Sequence, residues 1–270
     1  MHKQHWSLKS LPFENTPDPD FFFESEEHAE AVSRMGYVLQ SHKVCGVLTG
    51  VYGCGKTLVM HSLRRRFEQE GYKFALVTNP RLSEVDILRM ILYGLSSSEI
   101  PTQKGDILMC LQKTITEINN DGKHPVIVID EAHAIENNMV FEELRLLLNF
   151  QTDNRVLVTL LLSGQPELKG KLESNKQFNQ RVSMKYYLGP FNQEDTVRYI
   201  QHRLSAAGAK NQIFTDEALE AVFQRSGGIP RWINNICHMA MMAAFSADQK
   251  LVTPEMVKEA VETLDGTPVA

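Results

Sequence analysis

A glycine-rich run that ends in a lysine and a threonine carries the clearest chemistry in this sequence. It fits G-x-x-x-x-G-K-[ST] at every fixed position and reads Gly50-Val51-Tyr52-Gly53-Cys54-Gly55-Lys56-Thr57. An apolar run precedes it and a helix-compatible run begins at Leu58, which is the strand, loop and helix context of a phosphate-binding loop. In such a loop main-chain N–H groups surround an anion, the lysine contacts the β- and γ-phosphates, and the threonine hydroxyl ligates Mg²⁺. We therefore predict that residues 50–58 bind a nucleoside triphosphate.

A pair of carboxylates follows a second apolar run. Residues 126–129 are Val-Ile-Val-Ile, and Asp130 and Glu131 come directly after them. A β-branched run of this kind indicates a strand buried on both faces, and its carboxyl end is the edge at which open α/β sheets bind ligands. We predict that Asp130 holds Mg²⁺, directly or through water, and that Glu131 accepts a proton from the attacking water. Together with the glycine loop, this pair predicts hydrolysis of the triphosphate.

Two further polar residues are placed near this site by the sequence. Gln165 follows the next apolar run and is predicted to reach the γ-phosphate or the attacking water, with Ser163 as the alternative. His133 completes the letters Asp-Glu-Ala-His, which also occur in a class of RNA helicases. That class needs a second nucleotide-binding domain, for which 270 residues leave no room. We therefore expect His133 to be a neighbour of the site and not a catalyst.

Two arginines are candidates for contacts with the terminal phosphate. Arg231 opens a helix, where a cation is disfavoured by the helix dipole unless it has another use. It is predicted to contact the γ-phosphate bound by its own chain. Arg181 precedes the last predicted strand. It is either an ordinary surface arginine or a group that reaches the nucleotide of a neighbouring subunit and stabilises charge on the transferred phosphoryl group.

The elements that position these residues alternate along the chain. After residue 190 the sequence contains no good strand, and four helical segments follow, at 192–206, 215–226, 230–247 and 253–264. Residues 1–24 are rich in proline and aromatic side chains and are interpreted as an extended arm. We predict an arm at 1–24, a parallel α/β nucleotide-binding domain at 25–190 and an all-helical lid domain at 191–270. The predicted strands lie at 46–49, 73–78, 125–130, 155–163 and 184–188, between helices at 25–40, 58–70, 83–95, 105–119 and 138–150.

The amino-acid composition, the net charge and the cysteine count limit the classes of protein to which this chain can belong. The chain is 43% hydrophobic and 23% charged, which is ordinary for a soluble globular protein. Its net charge of −5 argues against indiscriminate binding to nucleic acid, although residues 64–66 are three arginines that form either a solvated face or a contact with DNA or an acidic partner. The four cysteines are scattered, so neither a zinc ribbon nor a disulfide scaffold is indicated, and this scatter suits a reducing cytoplasm. No run approaches the length of a membrane span.

These motifs, taken with others along the chain, resemble the AAA+ ATPases of the ExeA/GspA type. This group is related to MSHA-biogenesis ATPases and to TniB-like ATPases of transposition. The resemblance covers nearly the whole chain. Besides the glycine loop, it rests on Ser25, His28 and residues 11–13, 17–22, 30–31, 130–133, 143–147, 149–153, 164–168, 180–181, 202–204 and 226–231.

The resemblance implies a role for each candidate residue. It implies a Walker A motif at residues 50–57, a Walker B motif at Asp130 and Glu131, and a sensor 1 near Gln165. It further implies an arginine finger at Arg181, acting in trans within a ring or filament, and a sensor 2 at Arg231. The implied ligands are ATP and Mg²⁺, bound by a five-stranded parallel sheet with a helical lid. Cys54 departs from the pattern, because such loops usually have threonine or serine at that position.

Two hypotheses describe the process that uses the energy of ATP hydrolysis. One is an assembly ATPase of a secretion or pilus system, cytoplasmic or held at the inner membrane by a partner. The other is an ATP-dependent DNA-binding regulator that guides a transposase. A small P-loop kinase is disfavoured, because a water-activating glutamate suits hydrolysis. Longer secretion members resemble this chain plus a transmembrane helix and a peptidoglycan-binding domain, so we do not expect a direct role at the cell wall.

Overall fold

The computed structural model describes residues 2–16, 21–96, 100–152 and 155–266. Residues 17–20 and 153, which contribute to the family resemblance, lie outside this part of the chain. The chain divides into two compact units. One, the α/β unit, contains His28–Tyr52 and Lys56–Leu188, and the other, the helical unit, contains Met1–Glu27, Gly53–Gly55 and Gly189–Ala270. The boundaries predicted from the sequence, 24/25 and 190/191, remain predictions.

The helices and strands follow one another largely as predicted. A 3₁₀ turn, Ala132–Ala134, lies between β3 and α6. The elements are α1 His2–His5, α2 Glu26–Gln40, β1 Cys45–Thr49, α3 Lys56–Gln69, β2 Tyr72–Val77, α4 Glu84–Ser96, α5 Lys104–Asn120, β3 His124–Ile129, α6 Asn138–Leu147, β4 Gln151–Thr152, β5 Arg155–Val156, β6 Thr159–Gly164, α7 Glu167–Ser174, α8 Lys176–Asn179, β7 Val182–Tyr187, α9 Gln193–Ala206, α10 Asp216–Ser226, α11 Pro230–Ser246 and α12 Pro254–Leu264.

The centre of the α/β unit is a five-stranded parallel sheet. Its strand order is β2-β3-β6-β1-β7, and every neighbouring pair is parallel. All residues of β3 and β6 are buried, as expected of strands covered by helices on both faces. The predicted fold class, a parallel sheet flanked by helices and followed by a helical region, is confirmed. The order also places β6 between β1 and β3, so the three strands that carry the candidate residues are adjacent.

The strand predicted at 155–163 is wrong in one respect, because the structure divides it. The segment begins as β5, which forms a two-stranded antiparallel sheet with β4, and resumes as β6 in the main sheet. Leu157 continues the hairpin, since its N–H donates to Phe150 O at 3.1 Å. Its carbonyl accepts Asn119 Nδ2 at 2.8 Å. Asn119 lies 38 positions away in sequence, and the mainly apolar run gives no sign of the break.

The arm predicted as extended begins instead with a short helix, α1. The Leu8 N–H closes this turn on Lys3 O at 2.8 Å, and Ser7 takes the left-handed conformation with φ 57°. Glycine is the usual residue at such a helix end, so the residues here carry no signal for a helix. The side chains of Trp6 and Phe13 are buried in the core of the helical unit, and Arg203 of α9 donates to the carbonyl of Glu14 at 2.9 Å.

A buried histidine occupies the amino end of β3 in the α/β unit. His124 is 3% exposed, and its Nε2 lies 2.9 Å from Thr159 Oγ1. Because that hydroxyl donates to Lys43 O at 2.8 Å, it accepts from His124, so Nε2 carries the proton. The Nδ1 atom is buried without a hydrogen-bond partner among the described residues. Burial, together with the nearby charges of His42 and Arg155, lowers the pKa of His124 to about 3.

This lowered pKa predicts that acid destabilises the fold. Between pH 6.5 and about 3 the unfolded chain binds a proton at His124 that the folded chain does not, so the free energy of unfolding falls as pH falls. From about pH 7.5 to about pH 5.0 the loss from this residue is about 2 kcal/mol. Denaturant unfolding at these two pH values measures it. His124→Gln keeps a donor for Thr159 without titrating and should show a smaller loss, whereas an unchanged loss would contradict the assignment.

Candidate functional site

The glycine loop between β1 and α3 takes conformations that require its glycines. Gly53 and Gly55 have φ values of 87° and 95°, in the left-handed region that side chains other than hydrogen rarely allow. Gly50 needs to be glycine for a different reason. A Cβ there would lie 2.4 Å from Leu188 O, inside van der Waals contact. The spacing of glycines therefore sets a tight loop whose main chain can approach a ligand closely.

Lys56 begins α3 with its ammonium group inside this loop. The residue is only 5% exposed. Its Nζ donates to the carbonyls of Gly50 at 2.8 Å and Val51 at 3.0 Å. A buried cation needs such acceptors, and phosphate oxygens are stronger acceptors than neutral carbonyls. The ammonium is therefore positioned to exchange loop carbonyls for the phosphates of a ligand.

Thr57 and Asp130 join the loop to the acid pair. Thr57 Oγ1 donates to Asp130 Oδ2 at 2.7 Å, and Asp130 is 4% exposed at the carboxyl end of β3. The other carboxylate oxygen accepts the Glu131 N–H at 3.0 Å, which fixes its orientation. A hydroxyl and a carboxylate side by side are the oxygen ligands that Mg²⁺ prefers next to substrate phosphates. These two residues therefore fit the implied metal ion.

Glu131 has an unusual backbone conformation. Its φ and ψ are 52° and 34°, in the left-handed region that costs a residue other than glycine about 1 kcal/mol or more. This conformation turns the chain out of β3 into the 3₁₀ turn that carries His133. The carboxylate side chain is 35% exposed, so it is accessible to water. Strain of this kind collects at functional sites, and it agrees with the predicted use of Glu131 as a base.

The carboxyl end of β6 supplies the polar residue between the loop and the acid pair. Gln165 directly follows Gly164, the last residue of β6, and is partly exposed. Ser163, the alternative, is fully buried. Its hydroxyl has no hydrogen-bond partner in the part of the chain that the structure describes. The geometry thus favours Gln165 over Ser163 for a contact with ligand or water.

The two arginines lie in different units. Arg231 is the second residue of α11 in the helical unit, and its N–H donates to Gly53 O at 3.4 Å. A Cβ on Gly53 would lie 2.9 Å from the Cβ of Arg231, so this arginine packs against Gly53, which belongs to the same unit. Arg181 precedes β7 in the α/β unit, where its Nη2 donates to Asn149 Oδ1 at 2.9 Å in an exposed pair. Arg181 is thus on the surface and bonded to the loop that follows α6.

Two of the three arginines at 64–66 have acidic partners on the same helix. Arg64 and Arg66 form ion pairs one helical turn along α3, with Glu68 at 2.8 Å and Glu70 at 3.4 Å. Acids on the same helix therefore offset two of the three positive charges of the arginine run. Within the described ranges, no helix combines the length and apolar character needed to cross a bilayer.

His133 lies closer to the chemistry than its sequence pattern indicates. The structure brings its ring against both Glu131 and Gln165, at distances of 3.0–3.3 Å. The only signal in the sequence was the order Asp-Glu-Ala-His, which does not reveal that the turn after β3 meets the end of β6.

Two comparisons with known sequences identify relatives of this chain. Residues 39–172 match the family described as the AAA domain. The chain is 37% identical over 252 residues to general secretion pathway protein A of Aeromonas hydrophila, covering 91% of this chain and 45% of that protein. The chain thus spans less than half the length of this relative.

Solved structures agree with the fold. Cdc6p from Pyrobaculum aerophilum superposes with a TM-score of 0.73 at 14% identity, covering 96% of this chain and 74% of that one. The ORC1 protein of Aeropyrum pernix, solved in complex with DNA, gives a TM-score of 0.70 at 17% identity, covering 96% and 69%. At such identities the likeness concerns the fold alone.

Proposed function

We propose that this chain, which belongs to the AAA+ ATPases of the ExeA/GspA type, binds ATP with Mg²⁺ and hydrolyses it to ADP and phosphate. The observation that carries the proposal is the contact of Thr57 Oγ1 with Asp130 Oδ2 at 2.7 Å. It joins the phosphate loop to the acid pair across 73 positions of sequence. A chance glycine loop would have no reason to meet a carboxylate at the end of another strand.

Each residue of the proposed site has a separate role in the reaction. Main-chain groups of residues 50–58 and the Lys56 ammonium bind the phosphates, and Arg231 contacts the terminal one. Thr57 and Asp130 would hold Mg²⁺, which neutralises charge on the phosphates when bound. Glu131 takes a proton from water as the water oxygen bonds to the γ-phosphorus and the bond to the bridging oxygen breaks. Gln165 orients the water or the γ-phosphate.

The proposed enzyme works as an oligomer, in which Arg181 completes the site of a neighbouring subunit. This is supported by the place of Arg181 on the surface, where its guanidinium bonds Asn149 in an exposed pair. An arginine supplied in trans stabilises charge on the transferred phosphoryl group, and in related reactions it raises kcat by about 10³-fold or more. A monomer should therefore turn over slowly.

Mixing two inactive variants tests this arrangement. Arg181→Ala and Glu131→Gln should each lower kcat by at least about 100-fold. In a mixture, an Arg181→Ala subunit keeps Glu131 and receives Arg181 from a Glu131→Gln neighbour, so part of the activity should return. Phosphate release measured against mixing ratio shows the recovery. Arg65→Ala, at an exposed arginine of α3, serves as the control. An unrecovered loss in every mixture would place Arg181 in its own subunit's site.

We further propose that the ATP drives assembly of a secretion or pilus-type machine, with an inner-membrane protein as partner. The support is the relationship to general secretion pathway protein A. On this proposal the chain is cytoplasmic and reaches the membrane through that partner. The alternative, a regulator of transposition, would require ATP-dependent affinity for duplex DNA that falls steeply with salt. The net charge of −5 and the paired arginines of α3 favour the first proposal.

A further inference from the structure

We propose that His133 is a positioning residue that couples the catalytic base Glu131 to Gln165. The inference rests on the proposed ATP hydrolysis and adds to it a residue that links the two strand ends. Its ring is 19% exposed and lies within hydrogen-bonding distance of both residues.

The backbone brings this ring to its place. The left-handed conformation of Glu131 starts the 3₁₀ turn Ala132–Ala134 directly after the strand. At the end of β6, a Cβ on Gly164 would lie 3.1 Å from the His133 main-chain nitrogen, closer than most real Cβ contacts. Glycine at 164 therefore lets the turn approach β6, and the two strand ends bring Glu131 and Gln165 within hydrogen-bonding distance of one imidazole.

The nitrogen Nδ1 of His133 lies near one hydrogen-bond acceptor and one hydrogen-bond donor. It lies 3.3 Å from Glu131 Oε2, an acceptor, and 3.2 Å from the Gln165 main-chain N–H, a donor. A nitrogen with a proton can donate to the carboxylate, and a nitrogen with a lone pair can accept the N–H, but it cannot do both. The other nitrogen of the ring, Nε2, lies 3.0 Å from the side-chain amide nitrogen of Gln165. Because the two nitrogens of a neutral ring take opposite roles, a change at Gln165 alters what Nδ1 offers to Glu131.

This arrangement gives His133 a defined task. It holds the Glu131 carboxylate beside the site through a hydrogen bond. The same ring contacts Gln165, the residue proposed to contact the γ-phosphate or the water, so a change in the contacts of Gln165 changes that hydrogen bond. The ring does not need to touch ATP to do so. Loss of the ring should therefore leave ATP binding unchanged and reduce the rate of the chemical step, because a base displaced by about 1 Å loses a large part of its effect.

Steady-state kinetics of His133 variants test the task. His133→Ala should lower kcat about tenfold while KM and the Kd for ATP stay within about twofold. Asn can place an amide where Nδ1 lies and should retain most of kcat, whereas Gln places its amide where Nε2 lies and should not. In the Glu131→Gln background, His133→Ala should have little further effect. An unchanged or raised kcat in His133→Ala, or an equal loss in both backgrounds, would overturn the inference.

Two controls separate this inference from other effects. His238→Ala in α11 should match wild type, and thermal unfolding of each His133 variant should match within about 3 °C, which excludes loss of the fold. Imidazole ¹⁵N shifts give a readout without turnover. The His133 shifts should change on Glu131→Gln and on Gln165→Ala, and shifts that respond to neither variant would overturn the coupling. If the wild-type protein neither binds nor hydrolyses ATP, the proposed function is wrong. The ¹⁵N shifts would still test whether His133 couples Glu131 to Gln165, because they are measured without turnover.

Discussion

Replacing Glu131 with glutamine is expected to leave ATP binding intact and to lower kcat by about 10²–10⁴-fold, the usual effect of removing a general base. Glutamine matches the shape of the side chain and can keep a hydrogen bond to His133, so the loop and the metal ligands should be undisturbed. What it cannot do is accept the proton of the attacking water. Calorimetric titration with ATP measures the retained affinity, and phosphate release measures the lost turnover.

The matched control is Glu136→Gln, at a carboxylate a few residues further along that is 76% exposed. This variant should hydrolyse ATP at the wild-type rate. If Glu131→Gln also turned over normally, the base would have to be another group, and the proposed division of labour between Asp130 and Glu131 would be wrong.

Replacing Lys56 with alanine is expected to abolish useful ATP affinity. The ammonium group is buried in the loop, and it donates to two carbonyls that the loop itself supplies. A charge-assisted hydrogen bond contributes about 1.5–3 kcal/mol, and the ammonium is proposed to donate to both the β- and the γ-phosphate, so its loss should weaken Kd by roughly 100-fold or more. Arginine should not restore binding, because its planar, longer group does not fit where a compact ammonium is enclosed.

A titration of each Lys56 variant with ATP and Mg²⁺ measures this effect. Lys73→Ala, at an exposed lysine of β2, should bind ATP as wild type does. A Kd for Lys56→Ala within about threefold of wild type would mean that the loop does not bind the phosphates, since residues 50–57 contain no second cationic side chain that could replace it.

Much of the α/β unit could be predicted because its signals are local. The buried strands β1 and β3 appear as apolar runs, and the left-handed conformations of Gly53 and Gly55 follow from glycines at fixed spacing. The break between β5 and β6 could not be predicted in this way. It depends on Phe150 and Asn119, whose bonds to Leu157 span up to 38 positions of sequence.

The short helix α1 was missed for a related reason. Its C-terminal turn is closed by Ser7 in a conformation that sequence rules assign to glycine. Burial of Trp6 and Phe13 in the helical unit supports this conformation, and such tertiary support routinely overrides local propensity.

The candidate site likewise has features that local sequence predicts and features that depend on the tertiary structure. Residue types and spacing alone predicted the glycine loop, the acid pair and the polar residue after the next strand, because each is a short segment whose own residues indicate its chemistry. Only the tertiary structure decided that β6 lies between β1 and β3, that Thr57 meets Asp130, and that one nitrogen of His133 faces both Glu131 and Gln165. These are contacts between strand ends far apart in the chain, and they are fixed by the pairing order of the sheet, which no single segment encodes.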